Sequence, residues 1–371
     1  IDADPAPITP EAPYRYADAV WDAQRDRLIC VREDLTGEGE PVNTIAAVDL
    51  NPDTVGEVLV SGSDFYSSPR LSPDGRQLAW LSWNHPDMPW DGTELWLATV
   101  AEDGTVKDAH CVAGGTDESI FQPEWSPDGT LYFVGDRTGW WNLYLWQSGT
   151  VEPLFPMEAE FGLPHWVFRM STYGFESADS LICTYVQRGI QYLARLNTQT
   201  KALTPIETAY TAIGGLQVSD KWAAFIGGSP MAPGAIVALD LETLETQVLQ
   251  LSSRVEVDPG YLSNPQTIEF PTSNGLTAHA IYYPPKNQDF AAPAGERPPL
   301  RVQSHGGPTA ATSASFNLGI QYWTSRGVAV LDVNYGGSTG YGRAYRERLK
   351  GNWGIVDVDD WANGAEYLVR Q

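Results

Sequence analysis

A recurring pattern dominates the first two thirds of the chain: an aromatic residue, a strand, the turn Ser-Pro-Asp-Gly and a second alternating strand. Its clearest copies are residues 65–83 and 120–134, and the spacing is about 50 residues, in the range of propeller blades. Pro and Asp-Gly favour the backbone angles of a tight hairpin turn, and alternating apolar residues flank that turn. A third strand follows in each copy, at residues 94–100 and 142–146.

Three weaker copies fit the same frame, at residues 16–31, 168–186 and 216–226. Five copies predict a β-propeller region over residues 1–254, with about five four-stranded antiparallel blades around a central axis. We interpret Asp74 and Asp128 as turn formers rather than as acids or ligands. The Trp140-Trp141 pair is interpreted as blade packing rather than as a stacking platform for bases or sugars.

Composition narrows the classes of function. Apolar residues make up 42% and charged residues 19%, which indicates a globular protein. The net charge of −24 argues against a nucleic-acid partner, which needs clustered Lys and Arg. We interpret the acidity as a solubility feature, and an acidic cleft for cationic substrates is the alternative.

Cysteine and histidine usage gives no sign of a metal or cofactor. Cys30, Cys111 and Cys183 are odd in number and lie in strand-like runs, so we expect three buried free thiols and a cytoplasmic protein. The five histidines are scattered, and none pairs with Cys or His at ligand spacing. No apolar stretch has the length of a membrane span and no signal peptide leads the chain, so we expect no membrane partner.

The pattern changes near Val255. Residues 255–265 are polar, contain Pro and Gly, and are interpreted as a junction to a second domain at 266–371. Asn274-Gly275 joins two alternating strands as a hairpin. The order strand, loop, helix, strand, loop and helix then follows, and it predicts the opening of a doubly wound α/β sheet. In chain order, the predicted elements are a strand at 300–303, a helix at 315–325, a strand at 328–333, a glycine-rich loop at 334–342 and a helix at 357–371.

The most informative short motif follows the strand at 300–303. His305, Gly306, Gly307 and Pro308 form a loop of the kind that supplies one backbone N–H of an oxyanion hole in α/β-hydrolases. Glycine suits this task because no Cβ shields the N–H from a substrate carbonyl. We interpret His305 as a structural imidazole rather than a general base.

Three consecutive segments make the resemblance specific: SHGGP at 304–308, NYGGSTGYGR at 334–343, and GNWG at 351–354 followed by Asp357 and Asp360. Together they resemble the prolyl oligopeptidase family, most closely its acylaminoacyl-peptidase and dipeptidyl-aminopeptidase branch. The resemblance implies that the Gly307 amide is an oxyanion donor and that Asn334, Tyr335 and Arg343 shape loops near the site. The paired acidic residues of the dipeptidyl-peptidase-IV branch are not recognisable.

The resemblance also implies a serine peptidase that hydrolyses short peptides through an acyl-enzyme, with the propeller gating access. The family's nucleophile lies in a G-x-S-x-G turn, which we expect on a strand beyond Gln371, with the Asp and His partners later still. We therefore assign no catalytic residue here and expect this chain alone to be inactive. Members of the branch have seven blades by resemblance, so we also expect missing blades before residue 1.

Two other classes of function stay open. A non-catalytic propeller that binds proteins would share the Ser-Pro-Asp-Gly repeats, and an esterase would share the α/β sheet. The segments from SHGGP to GNWG favour a hydrolase over a pure propeller, and the propeller argues against an esterase. The choice between aminopeptidase, acylpeptide hydrolase and oligopeptidase stays open, as does association of the chain with its own copies.

Overall fold

The computed structural model describes residue 4 and residues 6–50, 53–307 and 309–371. The chain divides into two compact units. The first contains Ile1–Pro156 and Gly162–Met170, and the second contains Met157–Phe161 and Ser171–Gln371. The domain limits expected from the sequence, with a junction at 255–265, stay a prediction.

The first unit contains three four-stranded antiparallel sheets, and in each sheet the strands pair in chain order. Sheet 1 contains β1 (Tyr14–Asp22), β2 (Arg27–Asp34), β3 (Val42–Asp49) and β4 (Glu57–Val60); sheet 2 contains β5 (Phe65–Leu71), β6 (Gln77–Trp83), β7 (Thr93–Val100) and β8 (Val106–Gly115); sheet 3 contains β9 (Ile120–Trp125), β10 (Leu131–Gly135), β11 (Asn142–Gln147) and β12 (Thr150–Pro153).

The second unit contains two further sheets of the same kind and one mixed sheet. Sheet 4 contains β13 (Tyr173–Ser177), β14 (Ser180–Gln187), β15 (Ile190–Asn197) and β16 (Leu203–Ile206); sheet 5 contains β17 (Ala212–Val218), β18 (Trp222–Gly228), β19 (Ala235–Asp240) and β20 (Thr246–Leu251); sheet 6 contains β21 (Gln266–Pro271), β22 (Thr277–Tyr283), β23 (Leu300–Ser304) and β24 (Ala329–Asn334). The helices are α1 (Leu318–Thr324), α2 (Arg343–Arg346) and α3 (Val356–Arg370), with short 3-10 turns at Pro259–Tyr261, Ser273–Gly275 and Glu347–Leu349.

Strand β6 shows why the repeats form sheets that pack face to face. Its residues alternate between the two faces of sheet 2, and both faces are apolar. Leu78 and Trp80 pack with residues of sheet 1, and Leu81 packs on the opposite face with residues of sheet 3. Sheets 4 and 5 share a buried cluster in the same manner, which includes Ile182, Leu193, Phe225, Val237 and Leu239.

The two Ser-Pro-Asp-Gly segments form turns whose aspartates act as hydrogen-bond acceptors. Asp74 Oδ1 accepts from Ser72 Oγ at 2.7 Å and from Arg76 N at 3.1 Å. The bond from Ser72 lowers the pKa of Asp74 below its ordinary value. Asp128 Oδ1 likewise accepts from the Ser126 hydroxyl. Both aspartates therefore belong to turns, as the sequence predicts.

Two expectations from the sequence are wrong in detail. The helix predicted at 315–325 is shorter, because the Asn317 side chain accepts hydrogen bonds from Gly319 N and Ile320 N and starts α1 at Leu318. Cys30 and Cys183 are buried free thiols, but Cys111 is exposed. It lies on β8, one of the two edge strands of sheet 2, and the middle residues of β8 are solvent-exposed.

Sheet 6 brings two loops to the same edge. Its strand order is β21-β22-β24-β23, and only β23 and β24 run parallel. Ser304 at the end of β23 pairs with Val333, next to Asn334 at the end of β24. Helix α3 packs on this sheet through Tyr367 and Leu368. The loops after both parallel strands therefore start side by side.

We predict that Phe133→Ala destabilises the fold strongly. Phe133 is fully buried between sheets 2 and 3 and stacks on Tyr144 with ring centroids 5.7 Å apart. Removing the ring leaves a cavity that costs about 3–5 kcal/mol. Urea unfolding followed by circular dichroism measures this change. Phe290→Ala is the matched control because Phe290 is 79% exposed, and an equal loss of stability in both variants would contradict the packing described for sheets 2 and 3.

Candidate active site

A hydrogen bond joins the loop after β23 to the loop after β24. His305 Nε2 lies 2.7 Å from Ser338 Oγ, and the His305 ring stacks on Tyr335 with ring centroids 4.6 Å apart. Ser338 is fully buried, and its backbone N–H donates to Tyr335 O at 2.9 Å. The imidazole is therefore held on two sides by residues of the neighbouring loop.

The environment of His305 favours an uncharged ring. Burial lowers the pKa of His305 below its ordinary value. Its Nδ1 atom lies 3.3 Å from the carbonyl oxygen of Gly306, within its own loop. A neutral imidazole fixed by stacking and a serine hydroxyl fits the structural role that the sequence predicts for it.

The glycines after His305 present backbone to open space. Gly306 and Gly307 are both exposed, and a Cβ built on Gly306 would meet no atom within 4 Å. Gly307 has φ = 61°, a left-handed conformation that L-residues with a Cβ rarely adopt. Pro308, predicted to support the loop, lies outside the described residues. An exposed glycine amide in a sharply turned loop can approach a ligand oxygen without a side chain in the way.

Asn334 connects three segments at the end of β24. It is fully buried, its Oδ1 accepts from Thr312 N at 2.8 Å, and its Nδ2 donates to the Tyr341 hydroxyl at 3.0 Å. Its backbone oxygen accepts from the Tyr345 hydroxyl at 2.6 Å. Since buried polar groups are costly when unpaired, these bonds fix the start of the glycine-rich loop.

Aromatic rings reinforce this loop, and the sequence analysis did not find them. Tyr341 stacks on His279 with centroids 4.2 Å apart and an interplanar angle of 9°. Burial raises the pKa values of Tyr341 and Tyr345, so both hydroxyls stay protonated. Burial also lowers the pKa of His279. Tyr341 lies within the motif NYGGSTGYGR, but no local pattern marks His279 as its partner.

A second contact reaches the same loop from far along the chain. Gly342 N donates to Glu160 Oε1 at 3.0 Å, and Glu160 is buried. The Glu160 backbone pairs with Val186 through hydrogen bonds of 3.0 and 2.9 Å. Arg343, predicted to shape the loop, forms an ion pair with Glu347 at 2.9 Å along α2. Nothing in the sequence indicates Glu160, because it precedes Gly342 by 182 residues.

A carboxylate on α3 also forms a hydrogen bond with the glycine-rich loop. Asp360 is buried, and it accepts from Gly336 N at 2.7 Å and from Thr272 Oγ1 at 2.5 Å. Burial raises the pKa of Asp360 above its ordinary value. A Cβ on Gly336 would lie 2.8 Å from Val356 Cγ1, so only glycine allows this approach of loop to helix.

One segment within the chain matches the letters of the nucleophile motif, although we expected that motif only beyond Gln371. Residues 336–340 are Gly-Gly-Ser-Thr-Gly, which fits G-x-S-x-G. A nucleophile elbow exposes its serine at a strand-to-helix turn, whereas Ser338 is fully buried and the next helix, α2, has four residues and begins at Arg343. Ser338 therefore lacks the geometry of a nucleophile, and the location of the catalytic serine stays a prediction.

Neither a metal-binding group of side chains nor a membrane-spanning helix is present among the described residues. No group of three or more His, Cys, Asp or Glu side chains among them is arranged to hold a metal ion. Within that part of the chain, no helix is both long enough and apolar enough to cross a bilayer.

Five four-stranded antiparallel sheets are followed by a mixed sheet, and the parallel strands of that sheet lead into the two loops described above. Residues 314–371 match the family model described as "Prolyl oligopeptidase family". The chain is 23% identical to dipeptidyl-peptidase 5 of Schizosaccharomyces pombe over 354 residues, which cover 94% of this chain and 43% of that protein.

Solved structures give a closer likeness. The crystal structure of a puromycin hydrolase is 40% identical with a TM-score of 0.91, over 99% of this chain and 58% of that one. A puromycin-hydrolyzing peptidase of Mycobacterium tuberculosis is 37% identical with a TM-score of 0.92, over 100% of this chain and 59% of that one. The chain is therefore similar to these peptidases along almost its whole length, its match to the prolyl oligopeptidase family lies in residues 314–371, and it spans less than two thirds of the length of each of these relatives.

We predict that Asp360→Ala destabilises the second unit. The change leaves the buried Gly336 N–H without its acceptor, which costs about 1–3 kcal/mol. Thermal unfolding measures the loss. Glu366→Ala on the same helix is the control, because Glu366 is exposed and forms an ion pair with Arg370, which is also exposed. Equal stability of Asp360→Ala and the wild type would contradict the proposed anchoring of the loop by α3.

Proposed function

We propose that the complete protein is a serine-type peptidase that hydrolyses short peptides through an acyl-enzyme. The observation that carries the proposal is the exposed Gly307 loop at the carboxyl end of β23, with its left-handed glycine held in place by the contact between His305 and Ser338. The relatives support it, because they are named a dipeptidyl-peptidase, a puromycin hydrolase and a puromycin-hydrolyzing peptidase.

The chemistry assigned to this chain is stabilisation of an oxyanion. When a serine attacks a peptide carbonyl, negative charge develops on the carbonyl oxygen, and a fixed backbone N–H at Gly307 would stabilise it. A second N–H follows the nucleophile in α/β-hydrolases. Neutral His305 would hold the loop and transfer no proton, while Asn334, Tyr335 and Arg343 would shape the neighbouring loop.

The domain assignment belongs to the same proposal. Sheets 1–5 would be five blades of a β-propeller over residues 1–254, and sheet 6 would open an α/β-hydrolase domain at 266–371, after a junction at 255–265. The strand order of sheet 6 and its parallel pair β23–β24 support the second assignment. The propeller would allow only short peptides to reach the active site. The protein would act in the cytoplasm. Whether it associates with its own copies stays open.

The test of this function uses the complete gene product. We expect a fluorophosphonate probe to label one serine covalently, and we expect tripeptide-sized amides to be hydrolysed while folded proteins of casein size or larger are cleaved much more slowly. Mass spectrometry locates the labelled serine. A complete protein that carries no label and hydrolyses no peptide would overturn the proposal, and fast cleavage of large folded substrates would overturn the gating role.

We further predict that removing the Gly307 N–H lowers kcat of the complete enzyme. Replacing Gly307 by glycolate, which changes the amide to an ester, deletes the donor without adding a side chain. Loss of one oxyanion donor typically costs about 10²–10³ in kcat, and KM should change much less because the bond acts in the transition state. Proline would also remove the N–H, but its φ near −65° conflicts with φ = 61° at this position.

The same ester at Gly306 is the matched control for that experiment. It introduces an identical backbone change one residue earlier in the same exposed loop. If kcat falls only with the ester at Gly306, the donor lies there instead. If kcat stays within a few-fold of wild type in both variants, the loop supplies no oxyanion donor.

A further inference from the structure

The first unit contains an aromatic cavity that the peptidase chemistry does not use. Its volume is about 490 Å³, within the range of small-molecule sites. Phe65 and Trp83 pair directly across β5 and β6, and their rings stack with centroids 5.5 Å apart. His165 and Phe168, on the segment that precedes β13, also line the cavity, and their rings lie edge to face at 6.4 Å.

The segment that contains Trp166 and Phe168 is unusually exposed for one with large aromatic side chains. Trp166 is 45% exposed and Phe168 is 41% exposed, although both are large apolar side chains. Trp166 is held against Trp90 with ring centroids 4.3 Å apart, so its position is defined by packing. Contiguous exposed aromatic surface beside a cavity typically marks a binding site.

Three polar side chains of the lining form hydrogen bonds within the protein, whereas the buried His165 Nδ1 has no hydrogen-bond partner among the described residues. The Tyr16 hydroxyl donates to Val55 O at 2.9 Å, the Tyr66 hydroxyl accepts from Ser63 N at 2.8 Å, and Asn43 Nδ2 donates to Asp64 O at 2.8 Å. Sugars and nucleotides need many free donors and acceptors, so this lining suits them poorly. What it offers to a ligand is the faces and edges of aromatic rings, together with the single imidazole nitrogen of His165.

The charges of the lining also exclude a strongly charged ligand. Arg15 and Glu33 pair with each other, with Nη1 3.4 Å from Oε2, and their charges cancel. Burial lowers the pKa of His165 to about 4, so the imidazole is neutral at physiological pH. The exposed ion pair can meet the amide dipoles or the opposite terminal charges of a short zwitterionic peptide, while the interior stays apolar.

We propose that this cavity binds an aromatic side chain of a short peptide. The identification of the ligand as a peptide rests on the proposed function, whereas the preference for an aromatic ring rests on the lining. An entering ring would lie against Trp83 and Phe168 and would gain an interaction between rings in addition to burial of apolar area.

Isothermal titration calorimetry of the 371-residue chain with Gly-Phe-Gly and Gly-Leu-Gly tests the proposal. We expect Gly-Phe-Gly to bind about three- to tenfold more tightly, which corresponds to the ordinary gain from an aromatic pair. We expect Trp83→Leu to abolish that preference. Phe168→Ala, on the exposed segment, gives a second variant if Trp83→Leu fails to fold, and Trp222→Leu, a half-exposed tryptophan outside the lining, should leave the preference unchanged.

The outcomes separate this proposal from the peptidase proposal. Binding of a peptide by this chain requires no nucleophile. A complete protein that is not labelled by the fluorophosphonate probe would therefore contradict the peptidase proposal without affecting the proposal for the cavity. Equal affinity for the two peptides, no binding of Gly-Phe-Gly, or an unchanged preference in a folded Trp83→Leu or Phe168→Ala variant would each overturn the cavity proposal.

Discussion

Burial on both faces is the constraint on which the repeated sheets depend. Sheet 2 carries apolar side chains on both sides of β6, with Leu78 and Trp80 on one face and Leu81 on the other. A sheet of this kind cannot bury itself, so each repeat needs neighbours and the sheets stabilise one another. The tight Ser-Pro-Asp-Gly turns serve this arrangement, because short connections keep consecutive strands paired in chain order.

The loop that follows β24 of sheet 6 is rich in glycine, and its backbone must be held in one conformation. Apolar packing cannot do this because the glycines have no side chains to bury. Asn334 and Asp360 do it instead, by presenting buried amide and carboxylate oxygens to the backbone of Thr312 and Gly336. Each of these bonds would leave a costly unpaired group if broken, so the loop keeps one geometry despite its composition.

Local pattern was enough to predict the strands and the glycine loop, but not the contacts that position the loop. Alternating apolar residues and turn residues act over a few positions, so β6 and the turn at Asp74 follow directly from the sequence. The start of α1 was misjudged because the cap at Asn317 outweighs the apolar pattern before it. Cys111 was expected to be buried because the sequence indicates that it lies in a strand. The sequence does not indicate that this strand is at the edge of a sheet.

Contacts between distant residues were beyond the reach of such patterns. The bond from Gly342 N to Glu160 spans 182 residues, and no repeat or motif links the two. Ser338 illustrates the opposite error, in which a sequence motif indicates a role that the structure does not support. The letters around Ser338 fit a nucleophile elbow, but Ser338 is buried. In both cases the deciding quantity is solvent exposure or distance in the fold, and a linear sequence contains neither.

The two candidate sites differ in the precision that their chemistry demands, and the structure reflects this difference. An oxyanion donor must be fixed to within a fraction of an ångström, and the loop that contains the proposed donor Gly307 is held by the contact of His305 with buried Ser338. A cavity that recognises an aromatic ring gains energy from area and ring contact, which tolerate small displacements. Half-exposed rings such as Trp166 are sufficient there, whereas the loop at Gly307 requires buried hydrogen bonds.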